Sequence, residues 1–305
     1  MTTSTIAPST VRRTGVRQLL AYAAVCFLLG SNWPAVRVLV RDVPPLRAVG
    51  LGYAVACVVT MIAGWHTRRL RPRSGLELRN LLVMGLTLLA VPTAVISWAE
   101  QYINASLTAV IYASLPLAVA LIVRITMGQR VPLRAVIAMV IGALGIVVLF
   151  FDGVPQTPIG RVSALAVAGS VFVCAWGVIY ASKAPANLTS YFSIGLQFGM
   201  NAVLVLAASA ILEHGRASNW NTSSLASFYF IALFCTALMV LLYYWLLKEI
   251  ATFQVATIDL VVPVVSFLEG VLFLKEAVTA VMIAAAIVVL GATAYVLRST
   301  QGESA

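Results

Sequence analysis

The sequence predicts an all-α membrane protein with ten transmembrane helices, arranged as two inverted-topology five-helix repeats around a central cavity. Of its 305 residues 61% are hydrophobic and 10% are charged, whereas soluble domains have about 45–50% apolar and about 25% charged residues. Apolar stretches of about 20 residues recur along the whole chain, and each is long enough to cross a bilayer. This composition excludes an ordinary soluble enzyme, a disordered chain and a disulfide-rich secreted module.

Apolar runs and the breakers between them define the spans. Polar gaps rich in Pro, Gly, Asp and Arg separate most of the runs, as expected for loops. The third and fourth spans are separated by a tight turn at 101–103. The first run follows a Ser/Thr-rich, Arg-containing tail that resembles a signal peptide, but its length favours an uncleaved first span. The ten predicted spans are 18–39, 46–65, 78–100, 104–127, 133–151, 159–182, 189–212, 224–247, 252–274 and 278–297.

The distribution of Lys and Arg predicts the orientation. With ten spans both termini lie on one side, and that side carries thirteen Lys and Arg residues against five in the opposite loops. The positive-inside rule then makes the tails 1–17 and 298–305 cytoplasmic. The net charge of +10 is a topology signal and attracts anionic lipid. Nucleic acid is not an expected partner, because no soluble region is large enough to bind it.

The chain shows no pattern for a cofactor, a metal or catalysis. All four cysteines lie inside apolar runs without a CxxC pair, so neither a disulfide framework nor a zinc site is indicated. The two histidines lie in polar gaps, and no pattern of the kind found in intramembrane enzymes is present. A phosphate-binding GxxxxGK[ST] loop is also missing, which excludes ATP as the direct energy source.

An internal repeat relates the two halves of the sequence. Pro116 and Pro263 are 147 residues apart, and the same offset places Trp98 on Trp245. An apolar run, a short polar turn and one final apolar run follow each proline. The halves are therefore predicted as 18–151 and 159–297, each with five spans. Because five is odd, the second half enters the membrane inverted, as in many secondary transporters. A chance alignment of two proline-containing helices is the alternative.

Short motifs in both halves resemble the drug/metabolite transporter superfamily, in particular its EamA-type ten-helix members. They are Gly30-Ser31-Asn32-Trp33, Ala105 to Pro116 followed by Gly128-Gln129-Arg130, Tyr243-Tyr244-Trp245, and Ala256 to Pro263 followed by Leu274-Lys275-Glu276. The chain departs from the family's frequent Gly-Glu pairs after the fourth and ninth spans. The resemblance implies two inverted five-helix repeats around a cavity that serves the export of small metabolites, amino acids among them.

Prolines and carboxylates inside the spans are the first candidate site residues. Pro116 and Pro263 lie near the middle of their spans, where a proline removes a backbone hydrogen bond and kinks the helix. We expect paired hinges there, with packing kinks as the alternative. Asp259 and Glu269 carry charge inside the ninth span, which is costly in a membrane. They are candidates for the cavity or a proton relay, and Asp259 alternatively reaches water at the membrane surface.

Polar and aromatic side chains complete the predicted substrate site. Tyr112 is the preferred candidate, because it lies one turn before Pro116 and too deep for an interfacial belt. The others are interpretable either as cavity residues or as interfacial anchors. The full predicted substrate-binding set is Asn32, Trp33, Trp98, Tyr112, Trp176, Tyr180, Asp259 and Glu269.

These observations favour a secondary transporter that exports small metabolites, amino acids first, across the cytoplasmic membrane by alternating access. Export of nucleosides or cationic drugs is the alternative, followed by a non-transporting membrane receptor. The expected partners are a small-molecule substrate and the bilayer, with protons as a candidate coupling ion. The sequence leaves monomer and oligomer open.

Overall fold

The computed structural model is built from helices throughout the part of the chain that it describes. It describes residues 16–70, 72, 74–127, 137–138, 140–142, 144–145, 147–148, 155–185, 187–188, 190–249, 258–275 and 279–299, without the side chains of 69, 70, 244, 247, 248, 259, 260 and 296–299. The helices are α1 (Val16–Leu39), α2 (Pro45–Ala63), α3 (Gly75–Gly85), α4 (Val91–Ala99), α5 (Ala105–Tyr112), α6 (Leu115–Met127), α7 (Pro158–Ser182), α8 (Tyr191–Leu212), α9 (Thr222–Tyr229), α10 (Met239–Glu249), α11 (Ile258–Leu274) and α12 (Ala280–Ser299).

Seven segments of the described chain are long and apolar enough to cross a membrane. Shorter apolar helices cover Val261–Leu274 and Ala280–Tyr295, at the predicted ninth and tenth spans. Helical residues between 137 and 148 coincide with the predicted fifth span, most of which lies outside the described residues, as do most of the two predicted tails. The seven segments are Val16–Leu39, Pro45–Ala63, Gly75–Ala99, Ala105–Thr126, Pro158–Ser182, Tyr191–Leu212 and Thr222–Tyr243.

Two long helices change their hydrogen-bonding register in the middle. A π-helical segment, Leu86–Ala90, joins α3 to α4, and a second one, Phe230–Leu238, joins α9 to α10. Such segments are rare and occur frequently at functional sites. An offset of 147 residues carries 86–90 onto 233–237, so the two segments occupy equivalent places in the predicted halves.

The predicted fourth span is interrupted next to its proline. Helix α5 ends at Tyr112, and α6 begins at Leu115, one residue before Pro116. The Ser114 amide donates to the Ile111 carbonyl at 3.2 Å, which is a tighter turn than the α-helix makes. Thr293 of α12 donates its hydroxyl to the Ala113 carbonyl at 3.1 Å. A buried side chain therefore satisfies a carbonyl at the break.

Helices α2 and α8 pack against each other in opposite directions. A Cβ added to Gly50 would lie 2.7 Å from Cγ of Leu206, and one added to Gly195 would lie 2.4 Å from Cγ of Met61. Residue numbers thus fall along α8 as they rise along α2, so the pair is antiparallel. Because glycines stand at these contacts, the two backbones approach each other closely.

The remaining contacts between the two halves are reciprocal. Helix α1 packs against α9, α10 and α11, and also against α5. Helix α7 packs against α4, α5 and α6, and on the π-segment Leu86–Ala90. The first helix of each half therefore contacts the third and fourth spans of the other half. This arrangement encloses a space beside α1.

Candidate functional site

A cavity of about 210 Å³ lies between α1, α2, α4 and the π-segment Phe230–Leu238. Its lining on α1 runs from Leu29 to Leu39 and includes Val40, the residue after that helix. The cavity therefore lies near the C-terminal ends of α1 and α4 and the N-terminal end of α2. The observed cavity thus lies closer to the C-terminal end of α1 than the central position that the sequence predicted.

Aromatic rings form much of the cavity wall. The rings of Trp33 and Tyr112 meet with their centroids 5.4 Å apart at an angle of 56°, and those of Tyr53 and Phe198 are 5.5 Å apart at 37°. Tilted ring pairs of this kind stabilise a site beyond the area that they bury. Phe228 completes the aromatic lining.

Uncharged polar groups face the same cavity. Asn32 is adjacent to Trp33 on α1, and Tyr53 and Thr93 also line the cavity. The hydroxyl of Tyr53 is buried and has no hydrogen-bond partner among the described residues. Ser97 and Thr236 also line the cavity. Among the described residues, the lining contains no Asp, Glu, Lys, Arg or His. The site therefore offers hydrogen bonds and aromatic faces without a fixed charge.

The two π-segments contribute to the wall from opposite halves of the chain. Leu88 and Leu89 come from the first segment, and Ile231, Cys235 and Thr236 come from the second. Because π-helical segments occur frequently at functional sites, their presence on both sides of this cavity supports its choice as the candidate site.

Glu269 lies behind this wall. Ser31 donates its hydroxyl to Oε1 of Glu269 at 2.7 Å, and Ser31 is buried. Glu269 is not among the described residues that line the cavity. Its hydrogen-bond partner Ser31 directly precedes the lining residue Asn32, so the Ser31–Glu269 contact joins α11 to α1 next to the cavity.

Three predicted aromatic residues occupy other places. Trp98 contacts Tyr102 edge-on at 5.6 Å and packs against the core formed by α5 and α7. Trp176 is 45% exposed and stacks on Tyr180. Tyr180 donates its hydroxyl to Asn80 at 2.7 Å. The structure thus brings Asn32, Trp33 and Tyr112 together but does not bring these three to the cavity.

The remaining predicted residues lie on α6 and α11. Pro116 is half-buried in the first turn of α6, and Pro263 is buried inside α11. The Asp259 side chain lies outside the described residues. No group of three or more His, Cys, Asp or Glu that could hold a metal occurs in the described part of the chain.

Sequence reasoning missed several cavity residues, Tyr53 and Thr93 among them, and two buried carboxylates. Tyr53 lies in the middle of α2, and the depth argument that selected Tyr112 would have found it as well. Thr93 has no such signal. Glu100, at the end of α4, is fully buried. Glu213, after α8, is 3% exposed and accepts hydrogen bonds from two backbone amides of α2 at 2.9 Å each.

Polar contacts link the two halves at both ends of the bundle. At the cavity end, Asn221 donates to Asp42 at 2.8 Å, and Arg216 donates to Gln101 at 3.0 Å. The opposite end has matching contacts between the halves, namely Asn187 to Glu77 at 3.0 Å, Tyr180 to Asn80 at 2.7 Å, and the Phe192 amide to Thr67 at 3.1 Å.

Comparison with known proteins places this geometry in a family. The model of the EamA-like transporter family matches the chain twice, at residues 17–151 and 161–298. The chain belongs to the EamA-like transporter family. Its sequence is similar to the uncharacterized transporter YoaV of Bacillus subtilis, with 23% identity over 90% of this chain and 94% of that protein.

Two further similarities agree with this assignment. The uncharacterized inner membrane transporter YedA of Escherichia coli is 27% identical over 83% of each protein. A solved crystal structure aligns with a TM-score of 0.62 at 17% identity, over 91% of this chain and 95% of that one. This last similarity shows a shared fold.

Proposed function

We propose that this protein is a secondary transporter that exports small, net-neutral metabolites, amino acids first, across the inner membrane by alternating access. The observation that carries the proposal is the cavity beside α1, with aromatic faces, hydroxyls and one amide on its described wall. Membership of the EamA-like transporter family supports transport itself. The relatives named as transporters support a carrier rather than an enzyme.

The proposed architecture has ten spans in two inverted halves, with both termini cytoplasmic. Three observations support it: the family model matches twice, the two π-segments are related by the repeat offset, and α2 packs antiparallel to α8. Those two helices are the second of each half, and inverted repeats place equivalent helices in opposite directions. Under this topology the cavity lies toward the outer face.

The size and charge of the cavity restrict the substrate. Its volume of about 210 Å³ lies below the roughly 300–1,000 Å³ of pockets that hold drug-sized ligands, which favours a small metabolite. An amino acid with a neutral side chain would place its polar ends on Asn32 or the hydroxyls. A charged side chain would find no counter-ion on the described wall, and desolvating an unpaired charge is expensive.

Matched pairs of substrates test this proposal. Proteoliposomes would be loaded with radiolabelled glutamine or glutamate, and norleucine or lysine, and efflux would be followed. The members of each pair have similar shapes and differ in charge. We expect the neutral member to leave at least about tenfold faster, since about 1.4 kcal/mol of unpaired-charge penalty suffices for that ratio. Equal rates would contradict the neutral-substrate proposal, and no flux of any of the four would contradict amino-acid transport.

Tyr112 and Tyr102 provide a matched pair of variants for the site itself. Tyr112→Ala removes a ring from the cavity wall and with it the contact of that ring with the substrate. We expect a two- to tenfold rise in the half-saturating substrate concentration, the effect of losing about 0.5–1.5 kcal/mol of aromatic contact. Tyr102→Ala removes a ring that contacts Trp98 away from the cavity and should leave that concentration unchanged. If both variants behave alike, the cavity is not the substrate site.

Nucleosides and cationic drugs define a second candidate class. The aromatic pairs Trp33–Tyr112 and Tyr53–Phe198 would stack on a nucleobase or face a cation. Competition by uridine and by tetraphenylphosphonium in the same efflux assay separates these classes from amino acids. Tight competition by tetraphenylphosphonium would favour a cation exporter.

A further inference from the structure

One hydrogen bond joins the half-buried carboxylate of Glu269 on α11 to α1, a helix that forms part of the cavity wall. Ser31 of α1 donates to Glu269 of α11 at 2.7 Å, at a crossing where a Cβ on Gly30 would lie 2.5 Å from Val265. The next residue after Ser31 is Asn32, which lines the cavity. Any change in the Ser31–Glu269 contact therefore acts directly on the wall.

The same crossing contains a second, unused hydroxyl. Ser266 is fully buried, and its Oγ has no hydrogen-bond partner among the described residues. It precedes Glu269 by three residues, so both side chains lie on one face of α11. An ionised carboxylate can only accept hydrogen bonds, whereas a protonated one also donates. Ser266 thus supplies an acceptor on the face that a protonated Glu269 would use.

The surroundings of Glu269 contain little competing charge. Its hydrogen-bond partner is Ser31, and the titratable side chain of the neighbouring π-segment is the Cys235 thiol, which lines the cavity. Where side chains are described, no Lys or Arg contacts its carboxylate as an ion pair. The other titratable or charged residues of helices packed against α11 are Arg17, Tyr22, Cys26 and Arg37 in α1, Tyr112 in α5, and Tyr295 and Arg298 in α12. Helix α10, which shares a core cluster with the start of α11, carries Tyr243, Tyr244, Lys248 and Glu249.

We propose that Glu269 is a proton-binding site, separate from the substrate cavity, that couples transport to the proton gradient. This inference rests on the proposed transport function. The carboxylate takes one proton from water on one side of the membrane, forming an O–H bond, and later returns it to water on the other side. In the protonated state Glu269 is neutral and can donate, so the contact with Ser31 and the position of α1 change while the cavity itself gains no charge.

Proton binding can be measured without a substrate. Infrared difference spectra of the purified protein in lipid vesicles, between acidic and alkaline buffer, report the carbonyl stretch of a protonated carboxyl group. The chain has ten Asp and Glu residues, so several carboxyl groups contribute to this band. We expect one component of the wild-type band to be lost in Glu269→Gln and retained in Asp259→Asn. Ser31→Ala should shift that component, because the band position depends on hydrogen bonding to the carboxyl group. A carboxyl band that is identical in wild type and Glu269→Gln, or loss of the same component in Asp259→Asn, would overturn the proposal.

A flux measurement then tests coupling. Vesicles containing wild type or Glu269→Gln would be assayed with radiolabelled leucine for exchange without a gradient and for accumulation driven by a pH gradient. We expect Glu269→Gln to keep leucine exchange within about twofold of wild type and to lose accumulation. Loss of both activities in a folded variant, or accumulation equal to wild type, contradicts a separate coupling site. If the wild type moves no leucine, the proposed substrate class fails while the infrared result still decides whether Glu269 binds the proton.

The Ser31→Ala variant keeps the inference testable if Glu269→Gln does not fold. It retains the carboxylate and removes its described hydrogen-bond partner. An unshifted carboxyl band in Ser31→Ala shows that the titrating group is not hydrogen-bonded to Ser31, which contradicts the assignment to Glu269.

Discussion

The α2–α8 crossing and the α1–α11 crossing join the two halves of the chain in different ways. Along α2–α8, glycines allow close contact between the two helices at several positions, from Gly50 against Leu206 to Gly64, directly after α2, against the backbone of Phe192. Along α1–α11, the close approach of Gly30 to Val265 is accompanied by a carboxylate and a buried serine hydroxyl without a described partner.

The ends of the two crossings differ as well. Glu213 fixes the start of α2 by accepting from the amides of Leu46 and Arg47, and Ser209 of α8 donates to the same carboxylate at 2.7 Å. A negative charge at a helix N-terminus is favourable because it faces the positive end of the helix dipole. We therefore interpret α2–α8 as the fixed axis of the fold and expect motion that reshapes the cavity at α1–α11.

Filling the α2–α8 crossing should have the largest effect. In Gly64→Ala the new Cβ would lie 2.6 Å from the backbone nitrogen of Phe192, and a backbone atom cannot rotate away. We expect the free energy of unfolding to fall by about 1–3 kcal/mol, as for other overpacked sites, measured by thermal unfolding in detergent. In the control Gly169→Ala, no atom lies within 4 Å of the new Cβ, so stability should be unchanged or slightly higher. Equal melting temperatures for the two variants would show that α2–α8 is not rigid.

Removing the carboxylate at the start of α2 should have a somewhat smaller effect. Glu213→Ala leaves two amides of α2 without their acceptor, which should cost about 2 kcal/mol. The control is Glu77→Ala, which removes half of the Ser74 capping box and a bond from Asn187 at a partly exposed helix start. It should cost about 1 kcal/mol or less. A larger loss in the control would indicate that the Glu213 end of the axis is not specially fixed.

The sequence predicted the helices well where apolar length alone decides them. The spans 18–39 and 189–212 correspond to Val16–Leu39 and Tyr191–Leu212, because any apolar run of that length must satisfy its backbone internally in a bilayer. The π-segments were not predictable, since no residue type marks them and tertiary packing decides where a helix changes register. Once one π-segment is known, the 147-residue offset predicts the position of the second one. The offset alone predicts neither of them.

The candidate site was predicted in part for a similar reason. Depth in the membrane and the resemblance identified Trp33 and Tyr112, which do meet in the cavity. Tyr53 and Thr93 face the cavity because of how α2 packs on α8, which one span's residues do not reveal. Trp176 and Tyr180 lie near cavity residues in the repeat alignment, yet Tyr180 bonds Asn80 and Trp176 is largely exposed.

A matched pair of serines provides the finest comparison of the two crossings. Ser209→Ala at α2–α8 removes a hydroxyl that donates to Glu213, and should lower the free energy of unfolding by about 1 kcal/mol, the usual net value of one hydrogen bond. Ser266→Ala at α1–α11 removes a buried hydroxyl with no partner among the described residues. Its desolvation is already unfavourable in the folded protein, so stability should stay the same or rise by up to about 1 kcal/mol. Thermal unfolding of both variants under identical conditions measures the difference. Opposite signs would mean that the Ser209–Glu213 contact is a satisfied hydrogen bond while Ser266 at α1–α11 keeps an unused acceptor, which is the property that a switching contact needs. If Ser266→Ala loses as much stability as Ser209→Ala, its hydroxyl is engaged in the folded protein, and the distinction between the two crossings fails at this position.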